Sequence, residues 1–221
     1  MPQSTATPPD HLLRGYRRFR TERYASEELR FRELAEGQAP RTMIIGCADS
    51  RVDPATIFSA APGELFVVRN VAAIVPPCEN HDPNGGSFHG TSAAVEFAVT
   101  VLGVEEIVVM GHGLCGGIAA ALASEHGPQG RFIGPWVDLL SPALERLRAK
   151  GNSLDPAGRQ RALEHLAIRQ SLAHLESFPF VAEAIADGKL ALHGAWFSIA
   201  EGELHWHDSK TQEFLTIDDW A

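Results

Sequence analysis

The sequence predicts an α/β fold: a mostly parallel central sheet flanked by helices, with an N-terminal helical arm and a late antiparallel strand or hairpin. Three features predict it. Short apolar runs bounded by turn residues alternate with helix-patterned stretches between residues 42 and 177. Ahead of them, Leu12, Leu13, Tyr16 and Phe19 recur at helical spacing among Arg14, Arg17, Arg18, Arg20 and Arg23. Behind them, two alternating stretches flank Glu201 and Gly202, a hairpin signal.

In chain order, residues 1–35 form the arm, helical over about 10–35, and residues 36–221 form one α/β domain. Thr42 to Cys47 reads as a short buried strand. Glu64 to Arg69 is a second, announced by the turn residues Pro62 and Gly63. Residues 91–102 carry a helix pattern that stops at Gly103, a C-cap signal. Glu106 to Met110 is the third strand, and residues 115–125 open another helix. Residues 136–150 and 156–177 look helical, with Pro142 and Pro156 suited to a break or a first turn. Leu190 to Ile199 and Glu203 to Trp206 are the late strands. Ligands of such sheets sit beyond the carboxyl ends of the strands, so the ends of the first and third strands are where chemistry is expected.

Composition narrows the function. Apolar residues make up 44% of the 221 and charged residues 21%, values of an ordinary globular chain, which excludes disorder and collagen-like repeats. A net charge of −9 argues against a dedicated nucleic-acid binder. The charge is uneven, however: residues 1–41 hold eight arginines against six acids, leaving −11 for the remainder. The basic arm is therefore expected to dock on an acidic body, its own or a second subunit's, rather than on nucleic acid or a membrane. No apolar run approaches the roughly 20 residues of a membrane helix. The N-terminal residues show no secretory pattern, so the expected location is cytoplasmic and reducing. Three cysteines are too few and odd in number for a disulfide framework, which frees them for chemistry or metal.

Two of them meet that description. Cys47 ends the first strand, and His112 and Cys115 follow the third, three apart on a glycine-rich turn into a helix. Two thiolates and one imidazole suit zinc, and three protein ligands leave a fourth position open, as catalytic zinc requires. Two thiolates also cancel the charge of the ion, so its water would be less acidified than on three neutral histidines. Asp49, two residues after Cys47, is placed to orient that water as a hydrogen-bond acceptor. Arg51 can pair with Asp49, keep it ionised and keep it off the metal.

The full combination, Cys47, Asp49 and Arg51 followed by His112 and Cys115, resembles the signature of the β-class carbonic anhydrases. The stretches 62–72 and 110–117 resemble that family as well, and His193 to Phe197 is similar to its late strand. The resemblance implies zinc on Cys47, His112 and Cys115, an Asp49–Arg51 catalytic dyad, and reversible hydration of carbon dioxide to bicarbonate through hydroxide on the metal. It implies a substrate site drawing on Gln38, Phe66, Val71, Phe97 and Gly113, with Gln38 reaching across a dimer interface. Phe97 stands where a tyrosine is often found. The resemblance further implies a homodimer or a higher even multiple whose N-terminal helices embrace the neighbouring subunit. A bicarbonate-inhibited subgroup uses a tryptophan, an arginine and a tyrosine at positions occupied here by Ile44, Arg69 and Phe197. With two of the three missing, no bicarbonate-triggered closed state is expected.

Other motifs have plainer readings. Gly111 to Gly116 satisfies a dinucleotide-type glycine pattern, but it follows the third strand and lacks a ribose-binding acid at a strand end. Cys78 is an ordinary free thiol, and His205 and His207 alternate on one strand face without a third ligand. His81 and His89 could relay protons to buffer but are more simply solvated loop residues. The competing functions are a hydrolase of carbonyl sulfide or carbon disulfide on the same fold, and a non-catalytic zinc protein. The intact Asp49–Arg51 pair speaks against the latter.

Overall fold

The computed structural model describes residues 7–78, 89–123, 130–149 and 154–217. The chain divides into two compact units, residues 1–38 and 39–221.

In the first unit the arm is helical, as its periodicity predicts, though not continuously. Helix α1 (Asp10–Phe19) runs into a π-helical turn (Arg20–Tyr24), and α2 (Glu28–Leu34) follows a break at Glu27, whose backbone leaves the helical region (φ −113°, ψ 18°). The break lets the helices fold over an aromatic cluster: the Phe31 ring lies 5.7 Å from Phe19 and 5.2 Å from Tyr24. Edge and tilted contacts of this kind are the favoured geometries of aromatic pairs.

The second unit is built on six strands: β1 (Thr42–Cys47), β2 (Leu65–Asn70), β3 (Glu106–His112), β4 (Ala191–Ser198), β5 (Glu203–His207) and β6 (Phe214–Thr216). They lie in the order β2-β1-β3-β4-β5-β6. The pairs β1–β2, β1–β3 and β3–β4 are parallel, whereas β4–β5 and β5–β6 are antiparallel. The parallel centre is covered on both faces, which is why β1 and β3 read as continuous apolar runs. Met43, Ile45, Ile107 and Val109 face one apolar cluster, and Ile44, Val108 and Met110 face another.

The helices are α3 (Pro54–Ile57), α4 (His89–Glu96), α5 (Gly116–Ala123), α6 (Ile133–Val137), α7 (Ser141–Ala149), α8 (Pro156–Glu176) and α9 (Pro179–Ala186). The pattern over 91–102 becomes α4 plus a π-helical turn (Phe97–Leu102), closed by Gly103 in the left-handed region at φ 66°. The helix expected over 136–150 is in pieces, with Asp138–Leu140 in 3-10 form and Pro142 in the first turn of α7. A proline has no N–H to continue the preceding ladder, so the helix restarts there. Helix α8 begins as its sequence indicates: Pro156 occupies the first turn, and the Asp155 carboxylate accepts the Gly158 N–H at 2.8 Å. Helices α3 and α9 and strand β6 are additions to the sequence reading. At four, eight and three residues they are too short for periodicity to reveal.

Candidate metal centre

Parallel pairing sets the site. Cys47 is the last residue of β1 and His112 the last of β3, so both stand at the carboxyl edge of the sheet. The chain then returns into α5 through Gly113, Leu114 and Cys115, and Leu114 takes the left-handed conformation at φ 56°. For a residue with a branched side chain this costs on the order of 1 kcal/mol and persists only where its surroundings hold it. The Cys47, His112 and Cys115 side chains are buried, and their ligand atoms lie within 4.8 Å of one another. The two sulfurs are 3.9 Å apart.

The ring of His112 is oriented by its neighbour. Nδ1 lies 2.9 Å from the Gly113 carbonyl oxygen, which makes Nδ1–H the donor and leaves Nε2 bare. Nε2 is buried with no hydrogen-bond partner among the described residues. A bare imidazole nitrogen beside two buried sulfurs is the donor set a zinc-like cation satisfies. The Cys47 thiol is drawn down to about 4, chiefly by its hydrogen bond with the Cys115 sulfur and further by His112, against the effect of burial. Cys115 is pushed up by the same partnership and by burial.

Asp49 faces this cluster, with Oδ2 3.9 Å from His112 Nε2. Arg51 holds the carboxylate at three points: Nε donates to Oδ1 at 2.9 Å, Nη2 to Oδ2 at 2.7 Å, and the Arg51 N–H to Oδ1 at 3.0 Å. These bonds hold the Asp49 carboxyl far below the ordinary carboxylate range. Arg51 Nη2 also donates to the Leu114 carbonyl oxygen at 3.3 Å, tying the dyad to the ligand turn. A second arginine fixes the backbone: Arg69 Nε donates to the Cys47 carbonyl at 2.8 Å and Nη2 to the Asp49 carbonyl at 2.6 Å. Ile44, at the position of the missing tryptophan, is buried in the sheet.

Of the five residues expected at the substrate, the four in the second unit lie in two places. Val71 packs at the start of α5, where a Cβ on Gly117 would fall 2.6 Å from its Cγ1. Gly113 is also beside the metal cluster, but its N–H donates to the Phe197 carbonyl at 2.9 Å and its own carbonyl holds His112, so that N–H is not available to a substrate. Phe66 lies four residues before Asn70, the partner of Cys47 in register, and so about 13 Å down the strand. The Phe97 ring is 5.9 Å from that of Phe66. Gln38 is exposed and belongs to the first unit. His81 and the side chain of His89 lie outside the described residues. Among the described residues, Cys47, His112 and Cys115 are the group able to hold a metal, and His205 and His207 instead pack against Trp196 and Phe214.

Residues 42–204, which contain every element of this cluster, match the family model described as carbonic anhydrase. The chain belongs to the β-carbonic anhydrases. It is 36% identical over 196 residues to beta carbonic anhydrase 3 of Arabidopsis thaliana, covering 87% of this chain and 74% of that protein. It is 35% identical to the chloroplastic beta carbonic anhydrase 5 of the same plant, spanning 62% of its length and 87% of this chain. Among solved structures, the β-carbonic anhydrase CcaA superposes with a TM-score of 0.84 at 30% identity, over 93% of this chain and 98% of that one. One of two tetrameric β-carbonic anhydrases from Sordaria macrospora superposes at 0.76 with 34% identity, over 89% and 94%. Carbonic anhydrases of this family are zinc lyases that hydrate carbon dioxide, and no helix among the described residues is long and apolar enough to cross a membrane.

Beside the β-carbonic anhydrase cluster lies a cavity of about 310 Å³ walled by Gly113, Leu114, Gln160, Arg161 and Trp196. Its floor contains Glu164 of α8, which the sequence reading passed over. The available signal was an acid within the apolar stripe Leu163, Ala167 and Ile168, where a solvated charge is out of place.

Proposed function

We propose that the chain hydrates carbon dioxide reversibly at a zinc ion held by Cys47, His112 and Cys115, with the Asp49–Arg51 pair as catalytic dyad. The observation that carries this reading is the convergence of two buried sulfurs and a bare His112 Nε2 beside a carboxylate that Arg51 holds aside. A zinc ion bound there supplies a Lewis acid that makes water nucleophilic near neutral pH. The rest falls to the chain. Two thiolates balance the ion's charge. The Asp49 carboxylate, kept ionised by Arg51, accepts a hydrogen bond from the attacking water and turns its lone pair toward carbon dioxide. Val71 gives the approach an apolar wall suited to a small nonpolar substrate.

The active unit is a homodimer or a higher even multiple. Strand β2 is a sheet edge on which Val67 is 38% exposed, and Phe97 (42%), whose ring meets that of Phe66 on the other face of the strand, and Val101 (65%) are exposed as well. An apolar open edge calls for a covering chain. A second copy laid there would bring Phe66 and Phe97 toward its own metal cluster, and by resemblance Gln38 would complete the substrate site in the same way. A Sordaria macrospora relative described as tetrameric supports this.

The deciding experiment is stopped-flow hydration of carbon dioxide together with a zinc count. About one zinc per chain with measurable turnover supports the reading. A fully zinc-loaded protein inactive across about pH 7–9 overturns it.

A further inference from the structure

Resting on the zinc reading above, we infer that Glu164 is a positioning residue for the metal centre, holding the ligand Cys115 from the side opposite Arg51. Glu164 is 3% exposed. Its Oε1 accepts the Cys115 N–H at 3.1 Å and the Gln160 side-chain amide at 3.1 Å, and its Oε2 accepts Trp196 Nε1–H at 3.0 Å. All three partners are donors, the set an ionised carboxylate takes. The Gln160 amide also reaches the Cys115 carbonyl at 3.4 Å.

The contacts matter because of where the peptide sits. The Leu114 carbonyl and the Cys115 N–H belong to one peptide group. Its oxygen is held by Arg51 and its hydrogen by Glu164. That peptide follows the left-handed Leu114, a conformation that needs outside support, and it directs the Cys115 sulfur toward His112 and Cys47. Arg51 is half-exposed, whereas Glu164 is buried on the 21-residue helix α8, so the firm end of the clamp is the glutamate. Trp196, held by the other oxygen, closes the far side of the turn, its ring 3.0 Å from where a Cβ on Gly113 would lie. Ion ligand, dyad and sheet are thereby joined through one buried carboxylate.

The test is Glu164→Gln. The shape is kept, but the amide offers one acceptor oxygen and an NH₂, so either the Cys115 N–H or the Trp196 N–H is left facing a donor. Zinc retention is read by competition with a chromogenic chelator, and geometry by the visible spectrum of the cobalt-substituted protein. E164Q should release zinc about 10- to 100-fold more readily, the usual cost of losing a group that orients a metal ligand, and should shift the cobalt bands. Retention within about twofold of the parent and an unchanged cobalt spectrum would overturn the inference, even if the melting temperature fell, since that pattern belongs to packing alone. If E164Q does not fold, Trp196→Phe and Gln160→Ala decide, each removing one donor while leaving the carboxylate. Weakened zinc retention in either supports the inference, and parental retention in both overturns it. A parent protein that binds no zinc overturns the zinc reading and this inference together, whereas a zinc-loaded parent matched by E164Q overturns this inference alone.

Discussion

Asp49 and Arg51, two residues apart on one turn, meet in a two-point ion pair, Nε to Oδ1 and Nη2 to Oδ2, that draws the carboxylate aside 3.9 Å from His112 Nε2. A planar guanidinium makes both bonds at once; a lysine ammonium cannot reproduce that fork. The pair separates a carboxylate that helps a metal from one that blocks it.

Arg51→Lys should therefore lower kcat/KM for hydration by about 100-fold, the scale of an ångström misplacement, and leave the melting temperature nearly unchanged because the Arg51 end of the pair is half-exposed and a lysine keeps its charge. Stopped-flow rates beside a thermal melt check this. Parental rates would show that Asp49 needs no fork.

Removing a ligand should empty the site. Cys115→Ser should reduce bound zinc from about one per chain to a small fraction, since a hydroxyl is a far poorer ligand than a thiolate. Metal analysis after dialysis against a weak chelator reads the result directly.

Gly117 is tight for steric reasons alone. A Cβ there would lie 2.6 Å from Val71 Cγ1 and 2.9 Å from Ala72 Cβ. Gly117→Ala should cost about 1–3 kcal/mol, the range of overpacked cores, measured by urea unfolding. An unchanged midpoint would mean that the turn at Val71 and Ala72 yields freely.

Acid should weaken the fold through His165. Burial, with help from Arg161 and Arg169, pulls this imidazole down to about 3. Its ring stacks on Phe214 at 4.2 Å, and Nε2 has no hydrogen-bond partner among the described residues. Because the folded value lies below the ordinary 6.5, the unfolded chain binds the extra proton between the two. This contribution is complete above about pH 6.5 and is lost as pH falls toward 3. His165→Phe should flatten that part of a stability–pH curve. A parental slope in the variant would assign the loss to other groups.

A charge on the open edge should disrupt assembly. Val67→Glu places a carboxylate on the exposed side of the edge strand β2. Sedimentation should then show monomers where the parent shows dimers or larger multiples, with hydration falling in parallel. A V67E protein that kept parental size would locate the interface elsewhere.

The sequence by itself determined the parallel centre of the sheet, because the middle of a strand buried on both faces must be apolar, as Met43–Cys47 and Ile107–Met110 are. It also determined the metal cluster and dyad, since Cys47, Asp49, Arg51, His112 and Cys115 carry their chemistry in residue type and local spacing. Short elements escaped it: α3 and β6 hold too few residues to establish a period. The tertiary structure alone decided that Phe66 and Phe97 stay on an open edge while Val71 reaches the metal turn, because register along a parallel strand sets distance from its end. It alone decided that Glu164, 49 residues after Cys115, grips that ligand's peptide. A buried charge has no local pattern. Its meaning depends on which donors the fold brings to it, and here those donors come from a turn, a helix and a strand far apart in the chain.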